Sequence, residues 1–467
     1  MLSDDVLLEI FDFDQLRYYG ICAWNWQRLG HVCQRWRHVI FASPRRLDLT
    51  LLCTYGTPVR KNLGCWPPFP LVLDYFTWYG TARAPDDKGD LIAALECPDR
   101  IRSIKLAITR SLMVPVASVM QEPFLALTNL RLSSEDRDAP VLPDAFLGGS
   151  APSLQKIHFL GISFPALPTL LLSADDLVYL RLEYIPQGGY ISPEVMVTGL
   201  AALTRLDHLW ICFKSPTSRL EPIYLPFVTR DVLPSLIAFN FRGSSEYLEH
   251  LMARIDTPRL QYFEITYFNQ LDFWVPQLSQ FIGRMENHGL AQFQGAQVHF
   301  HTDNICLELR VNREEDERHP SYLLFTLHIS CKWLDWQVFH LAQILGQSPA
   351  VVSGVDDLSI DEVDLHLEPG RKGNIDDTDW LQLLRPFTAV KMLRGSKQLA
   401  GHIALALDAV NGEMVTEELR SLVLPLLENQ PVRSVEQPLT VRQLCSIPLT
   451  FANPGRCEFL ALRRLLL

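Results

Sequence analysis

No apolar run in this 467-residue chain approaches the roughly 20 residues that span a bilayer. Its opening, MLSDDVLLEI, carries acids where a secretory signal needs basic residues. Basic charge is also short: 42 Lys and Arg against 53 Asp and Glu leave a formal net charge of -11, which opposes attraction to phosphate backbones and anionic lipid. Neither a nucleic acid nor a membrane is expected as a partner. The ten cysteines form no C-x-x-C pair and no N-x-S/T acceptor occurs, so reduced thiols in an intracellular protein, cytoplasmic or nuclear, are expected. The strings G-x-x-x-x-G-K-S/T, G-x-S-x-G, H-E-x-x-H and G-x-G-x-x-G are all missing. Without a phosphate cradle, nucleophile elbow, zinc pair or dinucleotide turn, no catalytic residue, metal or cofactor is assigned, and the chain is not expected to be an enzyme.

What is present is ample apolar material: 48% of residues are apolar and the mean hydropathy is +0.07. A chain this long favours about two or three domains or one elongated repeat array. From Asp4 to Phe13, Val6, Leu7, Ile10 and Phe11 recur on one side of a helix that Ser3 or Asp4 can cap. A second helix is expected from about Trp26 to Phe41, with Leu29, Val32, Cys33, Trp36 and Ile40 on its apolar side and Pro44 stopping it. Arg28, Arg35 and Arg37 form its solvated flank. Two helices of this length close no core of their own, so their stripes either fold onto the rest of the chain or meet another protein.

Residues 45–96 read as a connector in which RRLDLTLLC and FPLVLDYF alternate like short strands around the rigid turn GCWPPFP. Beyond residue 97 the triplet apolar-x-x-apolar-x-apolar recurs. It stands at Ile101, Leu127, Leu154, Leu177, Leu206, Leu236, Leu260, Phe293, Leu324, Val355, Phe387 and Leu419, in steps of 23 to 33 residues. The even spacing, together with turns such as APSLQKIHF and TPRLQYFEI, predicts stacked strands that bury the triplets and leave the residues between them on the inner side of a horseshoe. Steps beyond about 29 residues, and the missing Asn or Cys after most triplets, predict an irregular array. Arg131, Tyr179, Arg181, Glu183, His208, Trp210, Tyr262 and Glu264 stand at inner-face positions and are of types that dominate binding hot spots; Asn129, Lys156, His158, Asn240 and Arg242 share that face. Trp210 and Tyr262 have an alternative role, covering neighbouring aliphatics.

Two clusters carry less. His299 and His301, with Asp303 near, share a strand face, but no third ligand is placed. The acids of VDDLSIDEVDLHLE alternate with Leu358, Ile360, Val363 and Leu365 and predict a solvated strand edge.

LSDDVLLEIFDF followed by LGHVCQRWRHVIFASPRRL resembles the F-box motif, L-P-x-E/D-L/V-L-x-x-I-F/L, a spacer, then L-x-x-V-C-R/K-x-W-R. With WPPFPLVLDY, LIAALECPDRI, LPDAFLGGSAPSLQ, LLLSADDLVYLRL, GYISPEVMVTGLAALTRL and SEYLEHLMARIDTPRLQYFEI, the chain to about Arg420 is similar to the F-box proteins with leucine-rich-repeat-like tails of mushroom-forming fungi. Ser3 stands where that family has Pro, and the last 17 or so residues do not match its ending. The resemblance implies an α/β chain with an N-terminal helical F-box over residues 1–44, a connector over 45–96 and an irregular leucine-rich-repeat solenoid over 97–467. It implies a substrate-recognition adaptor of an SCF-type E3 ubiquitin ligase, which binds Skp1 and through it a cullin, and holds an unknown target protein on its repeats. Leu2, Val6, Leu7, Ile10, Phe11, Leu29, Val32, Cys33 and Trp36 would make or support the Skp1 face. A repeat protein that acts as a protein-protein scaffold outside any ligase, with or without Skp1, is the alternative.

Overall fold

The computed structural model describes residues 2–16, 29–43, 47, 49–55, 58–65, 67–76, 88–136, 138–215, 229–286, 293–311, 324–362, 377–396, 399 and 403, and the backbone of 456–460. They fall into two units: Met1–Ile191 with Thr198–His208, and Ser192–Val197 with Leu209–Leu467. The protein is mixed α/β, each unit containing a large, mostly parallel sheet region with helices.

In the first unit the chain runs through α1 (Asp4–Leu16), α2 (Gln34–Ala42), β1 (Leu51–Cys53), α3 (Val59–Cys65), β2 (Leu71–Tyr75), α4 (Lys88–Leu95), β3 (Ile101–Ala107) and α5 (Arg110–Val119). It continues through β4 (Asn129–Ser133), β5 (Lys156–Leu160), α6 (Leu167–Leu171) and β6 (Tyr179–Ile185); of α7 (Pro193–Ala201), residues 193–197 belong to the second unit and the rest to the first. The strands β1 to β6 lie in chain order and every neighbouring pair is parallel. Each triplet supplies the reason: Ile101, Ile104 and Leu106 are buried, as are Leu127, Leu130 and Leu132, Leu154, Ile157 and Phe159, and Leu177, Leu180 and Leu182. Their alternation places one apolar row per strand on the covered side and leaves polar residues on the other. After β5 the chain turns at Gly161 (φ 64), whose N–H donates to the Glu183 carbonyl at 2.8 Å. A Cβ there would run into the Ser134 carbonyl oxygen, so only glycine fits.

The second helix is shorter than its periodicity predicts. Leu29 and Gly30 are helical, His31 and Val32 turn, Cys33 is extended (φ -159, ψ 167), and α2 starts at Gln34 with the Cys33 Sγ accepting from the Trp36 N–H at 3.4 Å. Gly30 is a weak helix former, and the thiol offers the first turn a cap. The spacer aromatics Tyr18, Tyr19, Trp24 and Trp26 and the Leu419 triplet lie outside the described residues.

The second unit contains β7 (His208–Phe213, its first residue in the other unit), β8 (Asp231–Val232), β9 (Ala238–Gly243), α8 (Ser245–Met252), β10 (Ile255–Asp256), β11 (Tyr262–Tyr267), α9 (Pro276–Glu286) and β12 (Gly295–Phe300). Then come β13 (Asn304–Arg310), β14 (Leu324–Ser330), α10 (Leu334–Gln347), β15 (Asp357–Glu362), α11 (Asp377–Leu384), β16 (Met392–Ser396) and β17 (Arg456–Leu460). Here chain order and spatial order part. β11 pairs with β14 in parallel, β14 with β13 and β13 with β12 antiparallel, and β12 with β15 in parallel. A meander of three strands thus stands where the repeat spacing predicts two successive parallel units. Its cause is the stretch VHFHTDNICLELR, in which two alternating segments flank a short polar turn, a hairpin pattern. The acids of VDDLSIDE are not at an edge either: β15 is flanked by β12 and β16, and Asp361 is buried, accepting from the Ser359 hydroxyl at 2.9 Å. The strand expected at Phe387 forms later, as β16 from Met392, after a turn in which the Thr388 N–H donates to the Pro386 carbonyl.

Glu249 of α8 is fully buried and caps α9, accepting from the Gln277 N–H at 2.6 Å and the Leu278 N–H at 3.2 Å. Pro276 has no N–H, so these are the first donors of that helix. Burial raises the Glu249 carboxyl from 4.5 to about 8, with the two N–H donors pulling it partly back. A raised pKa favours the protonated fold: the contribution is complete below the unfolded value and is lost as pH climbs through about 8. The wild-type Tm is therefore expected to fall between pH 5 and 8.5 more steeply than that of Glu249→Gln, which carries no titrating group there. Parallel thermal melts across that range check this, and equal slopes would refute it.

Candidate functional site

The two N-terminal helices are clamped to each other by polar contacts and one aromatic pair. Ser3 Oγ accepts from the Val6 N–H at 3.4 Å, capping α1. Arg35 reaches back from α2, donating to Asp4 Oδ1 at 2.7 Å and to the Leu2 carbonyl at 2.6 Å. Phe11 meets Trp36 edge-on, ring centroids 4.9 Å apart. This arrangement sorts the apolar stripe into two parts. Leu7 and Phe11 are buried, with Leu8, Val39 and Ile40, and Leu29 and Trp36 are half-buried. Leu2 (53%), Val6 (43%), Ile10 (45%) and Val32 (58%) stand in solvent, as does Cys33. Val6 and Ile10, at i and i+4, share one side of α1, and Leu2 precedes the helix by two residues.

The inner-face candidates lie on the side of the strands opposite the buried triplets, half-buried except for His208 and Lys156, which are exposed, and Asn240, which is buried. In the first unit the structure brings Tyr179, Arg181 and Glu183 together on β6 and adds His158 from β5. Arg181 donates to Glu183 Oε1 at 2.6 Å and to the Tyr179 hydroxyl at 3.3 Å, and His158 Nε2 lies 2.7 Å from Glu183 Oε2. Burial works against the Glu183 charge, but the hydrogen bonds from His158 and Arg181 outweigh it and hold the carboxyl down at about 2. Arg131 of β4 lies over the Phe76 ring, 4.1 Å from its centroid. The exposed His208 pairs with Asp207 at 2.6 Å and packs against the Tyr179 ring. The register sets Asp74, Lys105, Arg131, His158 and Arg181 opposite one another on successive strands. Lys105 and Asp74, joined at 3.1 Å, were not among the sequence candidates. The signal for Lys105 was its place between the last two apolar positions of IRSIKL; for Asp74, the alternation of LVLDY.

In the second unit Trp210 is half-buried on β7, and Asn240 is buried rather than outward. Tyr262 donates to Glu264 Oε2, and His328 of β14 lies 3.8 Å from Glu264 Oε1 and 4.0 Å from Cys306 Sγ. This grouping is poorly suited to nucleophilic chemistry: burial pushes the Cys306 thiol up to about 12, and the same His328 nitrogen faces both thiol and carboxylate, so no relay through the ring is formed. His299 and His301 lie with ring centroids 6.3 Å apart. Among the described residues, no group of three or more His, Cys, Asp or Glu side chains is placed to hold a metal ion, and no helix is long and apolar enough to cross a membrane.

No known family model matches the chain, and no curated protein matches its sequence.

Proposed function

We propose that this chain is a noncatalytic substrate-recognition adaptor of an SCF-type E3 ubiquitin ligase, built as an F-box followed by an irregular leucine-rich-repeat solenoid and working in the cytoplasm or nucleus. The observation that carries the reading is the exposure of Leu2, Val6, Ile10 and Val32 on and beside two helices that Arg35 joins through Asp4 and the Leu2 carbonyl. These positions match the F-box motif at LSDDVLLEIF and LGHVC. In this reading they seat Skp1, while Leu7, Phe11 and Trp36 support them from beneath. The polar sheet faces hold the target, and catalysis comes from position alone, by raising the effective concentration of target at a recruited E2.

Co-purification of the tagged full chain from a cell extract tests this. Skp1 together with a cullin is the expected result. Skp1 without a cullin would favour a scaffold outside any ligase, and the absence of both would end the adaptor reading.

A further inference from the structure

We propose that, independently of the adaptor reading, the exposed aromatic surface around α10 in the second unit docks an arginine-bearing segment of a partner protein. Trp333, Trp336 and Phe339 at and on α10, with Leu271 and Trp274 of the segment that follows β11, are each between 41% and 63% exposed. One buried ring gathers them. His340 is fully buried, and its ring centroid lies 5.1 Å from that of Phe273, 5.4 Å from that of Trp336 and 5.7 Å from that of Phe339. The segment is pinned along the helix: Gln343 accepts from the Phe273 N–H at 3.3 Å and Gln347 from the Val275 N–H at 2.9 Å. Trp336 and Phe339, neighbours on one side of α10, thus stand beside the backbone that carries Asp272 and Trp274.

Charge selects the occupant. The stretches 268–275 and 331–347 carry Asp272 and Asp335 against Lys332 alone. Asp272 is exposed, and Asp335 Oδ1 accepts from the Trp336 N–H at 2.9 Å. A third acid, Asp303, is exposed nearby, its carbonyl accepting from the Cys331 N–H at 2.9 Å. At the start of the segment Glu246, which accepts from Gln270 at 2.9 Å, and Arg242, over the Phe268 ring at 5.6 Å, offset each other. Burial lowers the His340 pKa against the pull of Asp272, so the ring is neutral near pH 7 and repels no cation. Indole and phenyl faces attract a cation through their quadrupoles, and a flat guanidinium can stack on a ring while donating to a carboxylate. A second copy of the chain fits less well. Five side chains about half exposed offer about 500 Å², where a stable interface takes about 800 Å² from each partner. A two-fold contact would also set these acids against their own copies. The same acids oppose an anionic lipid surface.

The test is fluorescence anisotropy with the full chain and two labelled decapeptides, one alternating Arg and Gly and the other with the neutral isostere citrulline in place of Arg. The Arg peptide is expected to bind at least about tenfold more tightly than the citrulline peptide and to weaken as salt rises. Attraction to an acidic chain in general would do the same, so the variants decide. W336L/F339L keeps the net charge and an apolar cover over His340 but removes two ring faces, and it should cost at least about tenfold in affinity, with Tm as the check on folding. Asp272→Asn, at an exposed position where folding is not at issue, should cost about threefold. Glu122→Gln removes the same charge from an exposed position in the first unit and should cost nothing. Equal binding of the two peptides, wild-type affinity in folded W336L/F339L, or equal effects of Asp272→Asn and Glu122→Gln would each overturn the proposal. So would wild-type dimerisation in sedimentation velocity that W336L/F339L abolishes, which makes the surface a self-contact, or co-sedimentation with phosphatidylcholine vesicles that the same variant abolishes, which makes it a lipid contact.

Discussion

The double variant V6D/I10D is expected to lose Skp1 capture by on the order of a hundredfold or more while keeping the wild-type Tm. Both side chains are close to half exposed, at 43% and 45%, so an aspartate at either position remains hydrated in the free protein. Surface changes of this kind shift stability by about 0.5 kcal/mol or less. In a complex that covers the stripe, each carboxylate would be desolvated against apolar atoms, and an unpaired polar group in that position costs about 1–3 kcal/mol or more. Two such penalties reach about a hundredfold at roughly 1.4 kcal/mol per tenfold. Phe11→Ala behaves differently: its ring is fully buried and edge-on to Trp36, so its loss lowers Tm and affects capture through the helical pair as a whole. Surface plasmon resonance with immobilised Skp1, alongside thermal melts, reads both quantities. Undiminished capture by V6D/I10D would place the contact elsewhere.

Phe263→Ala is expected to destabilise the second unit by about 3–5 kcal/mol. The ring is fully buried; it stacks on Phe239 at 5.3 Å and 14° and packs at 5.4 Å and 5.6 Å against Phe281 of α9 and Phe325 of β14. Its removal strips contacts from three elements at once and leaves a cavity that close-packed aromatic neighbours fill poorly. The adjacent Tyr262→Ala supplies the comparison. That side chain points to the opposite face and is half-buried, and its principal bond is to Glu264. Its truncation should cost about 1 kcal/mol. Urea denaturation followed by near-ultraviolet circular dichroism gives both values, and similar midpoints for the two variants would contradict the packing described.

Much of this architecture was legible because a strand's buried row is written in neighbouring residues. The triplets at Ile101, Leu127, Leu154, Leu177, Leu206, Leu236 and Leu260 each coincide with a strand whose apolar positions are buried. The connector segments became β1 and β2, as their alternation predicts. Less legible was the α3 turn at Val59–Cys65, which lies in a stretch with no clear apolar period. The apolar stripe of the second helix also misled, because Gly30 and the extended Cys33 break it before Gln34. Among the site residues, Tyr179, Arg181 and Glu183 could be placed on one face from period-2 alternation alone. The contributions of His158 and Lys105 to that face depend on which strands lie beside which.

Composition and alternation by themselves determined that the chain is mixed α/β, which residues the strands from Ile101 to Tyr267 bury, and that it contains two amphipathic helices near its start. The tertiary structure alone decided that β14, β13 and β12 intervene between β11 and β15, that Phe11 turns inward while Ile10 stays in water, and that the cations align across β3 to β6. The physical reason is range. Backbone periodicity is set by residues a few positions apart, whereas strand order, burial of one side of a helix and cross-strand charge depend on free energies shared between segments far apart in the chain.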